Sequence, residues 1–204
     1  MNIRSVFTLV FALAVSSLLP APSLASEEST FSEIQLTHRV AREPGVKSTT
    51  GGLFYIEKSW EPFGTYGQLY ADREFSQGLV GLFALYGDFQ FALGIGRSEY
   101  DNTSFSTAAP WVYYGNKDIG LKALLYTEYY YKNGERDDRW AKAYVEKSLG
   151  NLGLGVYSER GMGVGPLLSY QVTPHVKVWG TVPTKRLPAL EDRAKVLLGL
   201  NVEL

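Results

Sequence analysis

The sequence predicts an all-β chain closed into an antiparallel up-and-down transmembrane β-barrel of about twelve strands, with ten as the alternative count. Three observations predict it. From Ala194 to the last residue, Ala194, Val196, Leu198, Leu200, Val202 and Leu204 recur at every second position, with Lys195, Asn201 and Glu203 between them. A period of two places all six apolar side chains on one face of a strand. Shorter alternating runs of the same kind fill the rest of the chain between clusters of turn-forming residues. The composition agrees: 14 Tyr, 10 Phe, 4 Trp and 21 Gly suit strands that carry aromatic girdles and turn tightly.

The N-terminus is of another character. Met1 to Arg4 is a short basic start, and an apolar run follows from Val6 to Leu19, interrupted by Thr8, Ser16 and Ser17. Ser23-Leu24-Ala25 then supplies small residues where a signal peptidase reads them. The run is too short for a bilayer span, which needs roughly 20 apolar residues. Residues 1–25 are therefore expected to be a cleaved secretory signal peptide and residues 26–204 one barrel domain. With no Cys, neither disulfides nor thiolate metal sites are available, and no acylated cysteine can follow the leader. No later segment approaches 18 continuous apolar residues, which excludes a helical membrane protein. The net charge of −1 argues against nucleic acid as a partner, where a basic patch is expected.

Cutting the chain at its turn signals gives strands over 31–41, 52–60, 65–74, 78–87, 89–98, 110–116, 119–131, 139–149, 152–160, 163–173, 175–183 and 193–204. Their connections alternate in kind. One set is tight and built from Gly, Pro and Asx, as at 61–64, 87–88, 116–118, 150–151 and 173–174, residues that turn for distinct conformational reasons. The other is longer and more polar: 42–51, 99–109, 132–138 and 184–192. An even strand count brings both termini to the same end. Pro166 removes one ladder donor and predicts a bulge, and 78–87 gives no phase, because Leu79, Val80, Leu82, Phe83, Ala84 and Leu85 are apolar on both parities.

Facing follows from parity. Phe89, Phe91, Leu93 and Ile95 share one face, as do Ala141, Ala143 and Val145, and Val176, Val178 and Val182. The opposite face mixes Gly, Tyr and isolated charges, as a wet or partly packed interior does. The residues expected to line the lumen are Arg39, Lys122, Tyr126, Glu128, Lys142, Tyr144, Glu146, Lys177 and Lys195, with Glu33 and Glu203 also pointing inward. A hairpin centred on Glu135 would set Glu128 opposite Lys142, Tyr126 opposite Tyr144, and Tyr130 opposite Trp140. Such a charge pair contributes roughly 0.2–1 kcal/mol on an exposed sheet.

These features together resemble the small bacterial outer-membrane β-barrels of the porin-like class. The C-terminal strand is similar to that class's assembly signal, carried here by Gly199, Val202 and Leu204, although those chains usually end in Phe or Tyr. The resemblance implies a Gram-negative outer-membrane location after export. It also implies short periplasmic turns, longer external loops, and both termini in the periplasm. The partners it implies are outer-membrane lipid and lipopolysaccharide, the barrel-assembly machinery and periplasmic chaperones.

Catalytic chemistry finds little footing in the sequence. Barrel hydrolases and acyltransferases set a His beside a Ser with a third group to orient it. The two histidines, His38 on the apolar parity of the first strand and His175 after Pro174, have no Ser or carboxylate at such spacing, and no Gly-x-Ser-x-Gly elbow is present. Gly94-Ile95-Gly96 and Gly161 to Gly165 lack the following helix that a phosphate loop needs, and read as strand bends. Glu135 to Arg139 alternates in sign and reads as a solvated external loop, with a weak divalent-ion or lipopolysaccharide contact as the alternative. No catalytic residue, metal ligand or cofactor is expected. The function expected is a narrow passive channel for small hydrophilic solutes. Balanced inward charges would give weak anion preference at most; Tyr126, Tyr130, Tyr144, Trp140 and Trp179 read first as interface girdle or lumen packing, and second as an aromatic track for sugar-like solutes. The alternatives are a non-conducting structural or partner-binding barrel and, lower, a lipid-modifying enzyme.

Overall fold

The computed structural model describes residues 28–41, 48–160, 162–183 and 194–204. The expected leader and Gly161 lie outside the described residues, as does the side chain of Lys195. Twelve strands form a single closed sheet: β1 (Glu28–Ala41), β2 (Thr49–Trp60), β3 (Phe63–Ala71), β4 (Phe75–Tyr86), β5 (Phe89–Tyr100), β6 (Thr103–Asn116), β7 (Leu121–Lys132), β8 (Glu135–Leu149), β9 (Leu152–Glu159), β10 (Gly163–Thr173), β11 (Val176–Thr181) and β12 (Ala194–Glu203). Each pairs antiparallel with its sequence neighbours, and β1 closes on β12, with Glu33 opposite Glu203 and Arg39 opposite Leu197. Closure leaves no open sheet edge, and no helix is present among the described residues.

The outer surface explains the alternation. Leu36, Leu82, Leu93, Ile95, Leu125, Val145, Val156, Leu168 and Leu198 all project outward, and all are exposed. So continuous an apolar band far exceeds the patches that a soluble protein leaves to water, and its natural solvent is hydrocarbon. At the end that carries both termini it is bordered by Trp60, Phe63, Tyr86 and Phe89, again exposed. These stand where the aromatic girdle of a membrane barrel belongs.

Parity also explains the stretch without phase. In β4, Leu79 and Phe83 point inward and are almost wholly buried, while Val80 and Leu82 point outward and are exposed. Both faces are apolar because this sector of the interior is packed rather than wet. Tyr66, Leu79, Phe83, Ala109, Trp111 and Tyr126 form one cluster inside the barrel, and Tyr157, Met162, Leu167 and Leu197 form a second. The rings are accommodated by missing side chains opposite them. A Cβ on Gly81 would sit 2.7 Å from Tyr66 Cζ, and one on Gly64 would sit 2.6 Å from Phe83 Cε1. Gly199 of the terminal strand likewise lies under the Trp179 ring.

Several connections differ from the sequence expectation. Two of the four stretches expected as long polar loops are two-residue hairpin turns, so the strands run several residues further. Asp101 and Asn102 take φ of 46° and 62° between β5 and β6, and Asn133 and Gly134 take 53° and 86° between β7 and β8. Paired positive φ values match the right-handed twist of the flanking strands and favour Asn, Asp and Gly. Glu135 to Arg139 is accordingly strand, although exposed.

Moving the turn also moves the register. Glu128 lies opposite Trp140, Tyr126 opposite Lys142, and Tyr130 opposite Asp138, after an irregularity between Tyr130 and Tyr131. The expected Glu128–Lys142, Tyr126–Tyr144 and Tyr130–Trp140 pairs are each displaced by two residues, which leaves every facing intact. Pro166 makes no bulge: it stays in register with Val156, and the ladder with β11 begins one residue later, at Leu167. The irregularity of β10 falls between Gln171 and Thr173. At Pro110 the β6–β7 ladder skips from Ala108 to Trp111.

Candidate functional site

The half of the barrel away from the termini encloses a cavity of about 660 Å³. Its mouth includes Arg73 and Glu74 of the β3–β4 turn, and its floor is formed by Gln68, Tyr126, Trp140, Lys142 and Trp179. Below the floor Tyr66, Leu79, Phe83, Ala109 and Trp111 of the first cluster pack the interior, whereas Tyr157, Met162 and Leu197 of the second line the cavity wall. Among the described residues the barrel is therefore a cup whose base consists of side chains.

The walls carry both charge and hydrogen-bonding groups, and most are tied to one another. Across β3 to β6 runs a belt: Gln68 Nε2 donates to Gln77 Oε1 (3.4 Å), Gln77 Nε2 to Ser98 Oγ (3.1 Å), and Ser98 Oγ meets Thr107 Oγ1 (2.6 Å). On β7, Tyr126 donates to Glu128 Oε1 at 2.7 Å and Tyr130 donates to Glu128 Oε2. On β9, Glu159 accepts from Tyr157 at 2.5 Å and from Arg39 Nη2 at 2.9 Å. Asp72 accepts from Tyr70 at 3.0 Å and from the backbone N–H groups of Glu74 and Phe75 at 2.9 and 2.8 Å. Buried acceptors satisfied in this way hold the wall rigid. Near the mouth Arg160 pairs with Asp138 at 2.5 Å.

Lys142 is different. It stands on β8 between Tyr126 and Glu159 of the neighbouring strands. Its Nζ lies 5.2 Å from the Tyr126 ring centroid and 5.8 Å from that of Trp140. Those distances are within cation–π range.

A second charged layer lies nearer the termini. Lys177 Nζ donates to both oxygens of Glu146, at 2.6 and 2.9 Å. The two residues belong to β8 and β11, and Gly153 and Gly155 of β9 leave the intervening wall bare. A Cβ on Gly153 would meet Glu146 Cδ at 2.9 Å. Beside them Trp179 Nε1 donates to Asn201 Oδ1 (2.8 Å), and Asn201 Nδ2 donates to Glu33 Oε1 (3.0 Å).

Of the residues expected in the lumen, Arg39, Tyr126, Glu128 and Lys142 border the cavity together. Tyr144 packs beside the second cluster, and Glu146 and Lys177 form the lower layer. Lys122, opposite Glu146 and exposed, stands at the mouth nearer the termini. Of the aromatic residues, Tyr126, Tyr130, Trp140 and Trp179 line the cavity. Gln68, Tyr70, Asp72, Gln77, Tyr157 and Glu159 also line it but carried no sequence flag. Parity alone identifies them, once each strand's inward set is extended along its full length.

The histidines stand apart. His38 is exposed on the outer face with Nδ1 2.8 Å from Thr50 Oγ1, and His175 lies in the turn between β10 and β11. No group of three metal-ligating side chains occurs among the described residues. Val202 pairs with Ile34 and Val176, and Leu204 N donates to Ser32 O at 3.0 Å, which ties the chain's end into the closure seam.

No protein-family model matches the chain, and no curated protein matches it. Solved structures do. A KdgM porin superimposes with a TM-score of 0.53 at 12% identity, covering 83% of this chain and 98% of its own. The outer membrane phospholipase A from Escherichia coli gives 0.52 at 11% identity, covering 92% and 95%. Two proteins of different activity on one architecture show a shared fold and no more: this chain has the fold of the outer-membrane β-barrels.

Proposed function

We propose that this protein is a porin-like barrel of the Gram-negative outer membrane, exported by its leader and serving as a narrow passive channel for small hydrophilic solutes. The cup of about 660 Å³ carries this reading. It opens at the end opposite the termini, the external end if the termini lie in the periplasm. Its walls combine aromatic faces with fixed charges, a lining suited to hydrated organic solutes. Twelve strands enclose more interior than the eight that side chains alone fill, so the floor acts as a constriction within a wider barrel. Catalysis has no part in this reading.

The test is single-channel conductance of the refolded mature protein in planar bilayers. Small discrete steps are expected, with larger steps when Tyr126→Ala and Trp140→Ala thin the floor, and a shift toward cations in Lys142→Glu. The packing of Tyr66, Phe83, Trp111 and Tyr126, each at most 8% exposed, favours a second reading, a non-conducting barrel whose cup only binds. Silence from folded wild type and from the thinned variant alike would establish that reading against the first.

A further inference from the structure

We propose that Lys142 anchors a site for a small organic carboxylate at the floor of the cup. This rests on the cup being open to solute, as in the channel reading, but not on passage through the floor. The cavity is formally balanced, with Arg39, Arg73, Lys142 and Arg160 against Asp72, Glu74, Glu128 and Glu159. Its hydrogen-bonding capacity is not. Glu128 is held by two tyrosines, Glu159 by a tyrosine and Arg39, and Asp72 by a tyrosine and two backbone N–H groups. A cationic ligand would have to displace these donors; the fourth carboxylate, Glu74, is exposed at the mouth and away from the floor.

Below the mouth, the charged side chain left without a hydrogen bond among the described residues is a cation. Among the described residues Lys142 has neither a hydrogen-bond acceptor nor an ion pair within 4 Å; the faces of Tyr126 and Trp140 flank it, and the carboxylates of Glu159 and Glu128 act on it only from further off. Arg39 Nε is buried without a partner on the same cavity wall. An ammonium carries three donors and no acceptor, and here none of the three meets an acceptor among the described residues. A carboxylate would satisfy the ammonium with charge-assisted hydrogen bonds, while the two rings that flank Nζ would cover a flat or apolar body. A neutral polyol would offer the ammonium acceptors without the opposite charge, a weaker partner than a carboxylate.

The experiment is calorimetric titration of the refolded protein in detergent with benzoate and with the neutral, isosteric benzamide. Saturable benzoate binding is expected, with benzamide at least about tenfold weaker, the scale of one hydrogen bond to a charged group. Lys142→Met should lose about tenfold or more in benzoate affinity while keeping the folded, heat-modifiable gel mobility, and Lys142→Arg should retain most of it. Equal binding of the two probes, no saturable benzoate binding, or an unchanged Lys142→Met affinity would each overturn the assignment. The probe comparison needs no variant, so it decides even if a substitution fails to fold. A barrel that conducts chloride yet ignores benzoate refutes this anchor alone. A silent barrel that binds benzoate refutes the channel and supports the anchor.

Discussion

The Glu146–Lys177 pair offers a quantitative test of the interior. Glu146 has a side chain 4% exposed and Lys177 one 22% exposed, and the ammonium sits 2.6 and 2.9 Å from the two carboxylate oxygens. At an effective dielectric constant near 20, the attraction at this separation is about 6 kcal/mol. Removing both ions from water costs several kcal/mol each, so the pair as a whole adds little net stability. Its members, however, depend on each other. Lys177→Met leaves a buried carboxylate without its counter-ion and should cost about 3–5 kcal/mol. Adding Glu146→Gln should restore most of that loss.

The assay is equilibrium urea unfolding in lipid vesicles, followed by tryptophan fluorescence, for both single variants and the double variant. A double-mutant cycle then isolates the coupling. The reasoning fails if Lys177→Met costs under about 1 kcal/mol, or if the double variant is no more stable than the sum of the singles. Either result would mean that water screens both groups and that the lower interior is open.

Four further outcomes follow from named contacts. Leu93→Arg, on the outward band, should cost about 2–4 kcal/mol of vesicle-embedded stability, whereas on a water-facing surface the same change would stay within about 0.5 kcal/mol; urea unfolding separates the two. Gly134→Ala should cost about 1–2 kcal/mol from its φ of +86° alone, since a Cβ there meets nothing within 4 Å; unfolding of this variant isolates the backbone term. Gly199→Val should displace the Trp179 ring and its bond to Asn201, at about 1–3 kcal/mol, read as a red-shifted tryptophan emission. In this cysteine-free chain, Thr127→Cys with Ala141→Cys should crosslink readily, because these residues are directly opposed. Thr127→Cys with Ala143→Cys should not, and the reverse yields would restore the turn centred on Glu135.

What the sequence made legible was local, and what it hid depended on closure. Parity is a property of one strand, so the inward placement of Tyr126, Glu128, Lys142 and Glu146 could be read without knowing any partner. Register is a property of a turn, and the signal for it was present in Asn133-Gly134, a dipeptide suited to paired positive φ values. The charge density of Glu135 to Arg139 masked it by suggesting loop where there is strand. Because the resulting slip is two residues, it exchanges partners without exchanging faces.

Contacts across the lumen are of a third kind. Glu146 reaches Lys177 past two intervening strands, β9 and β10, an approach that depends on Gly153 and Gly155 of β9 carrying no side chain. Nothing near either residue in the sequence signals the other. The same holds for Arg39 and Glu159, brought together only when β1 closes on β12. The expected Glu128–Lys142 pair and the observed arrangement therefore differ in consequence. In the first, Lys142 would be neutralised and the interior plugged by charge. In the second, two tyrosines satisfy Glu128, and the ammonium, though in the field of Glu159 and Glu128, has aromatic faces and no hydrogen-bond acceptor beside it. The register of one hairpin thus decides whether the barrel's central cation serves stability or recognition.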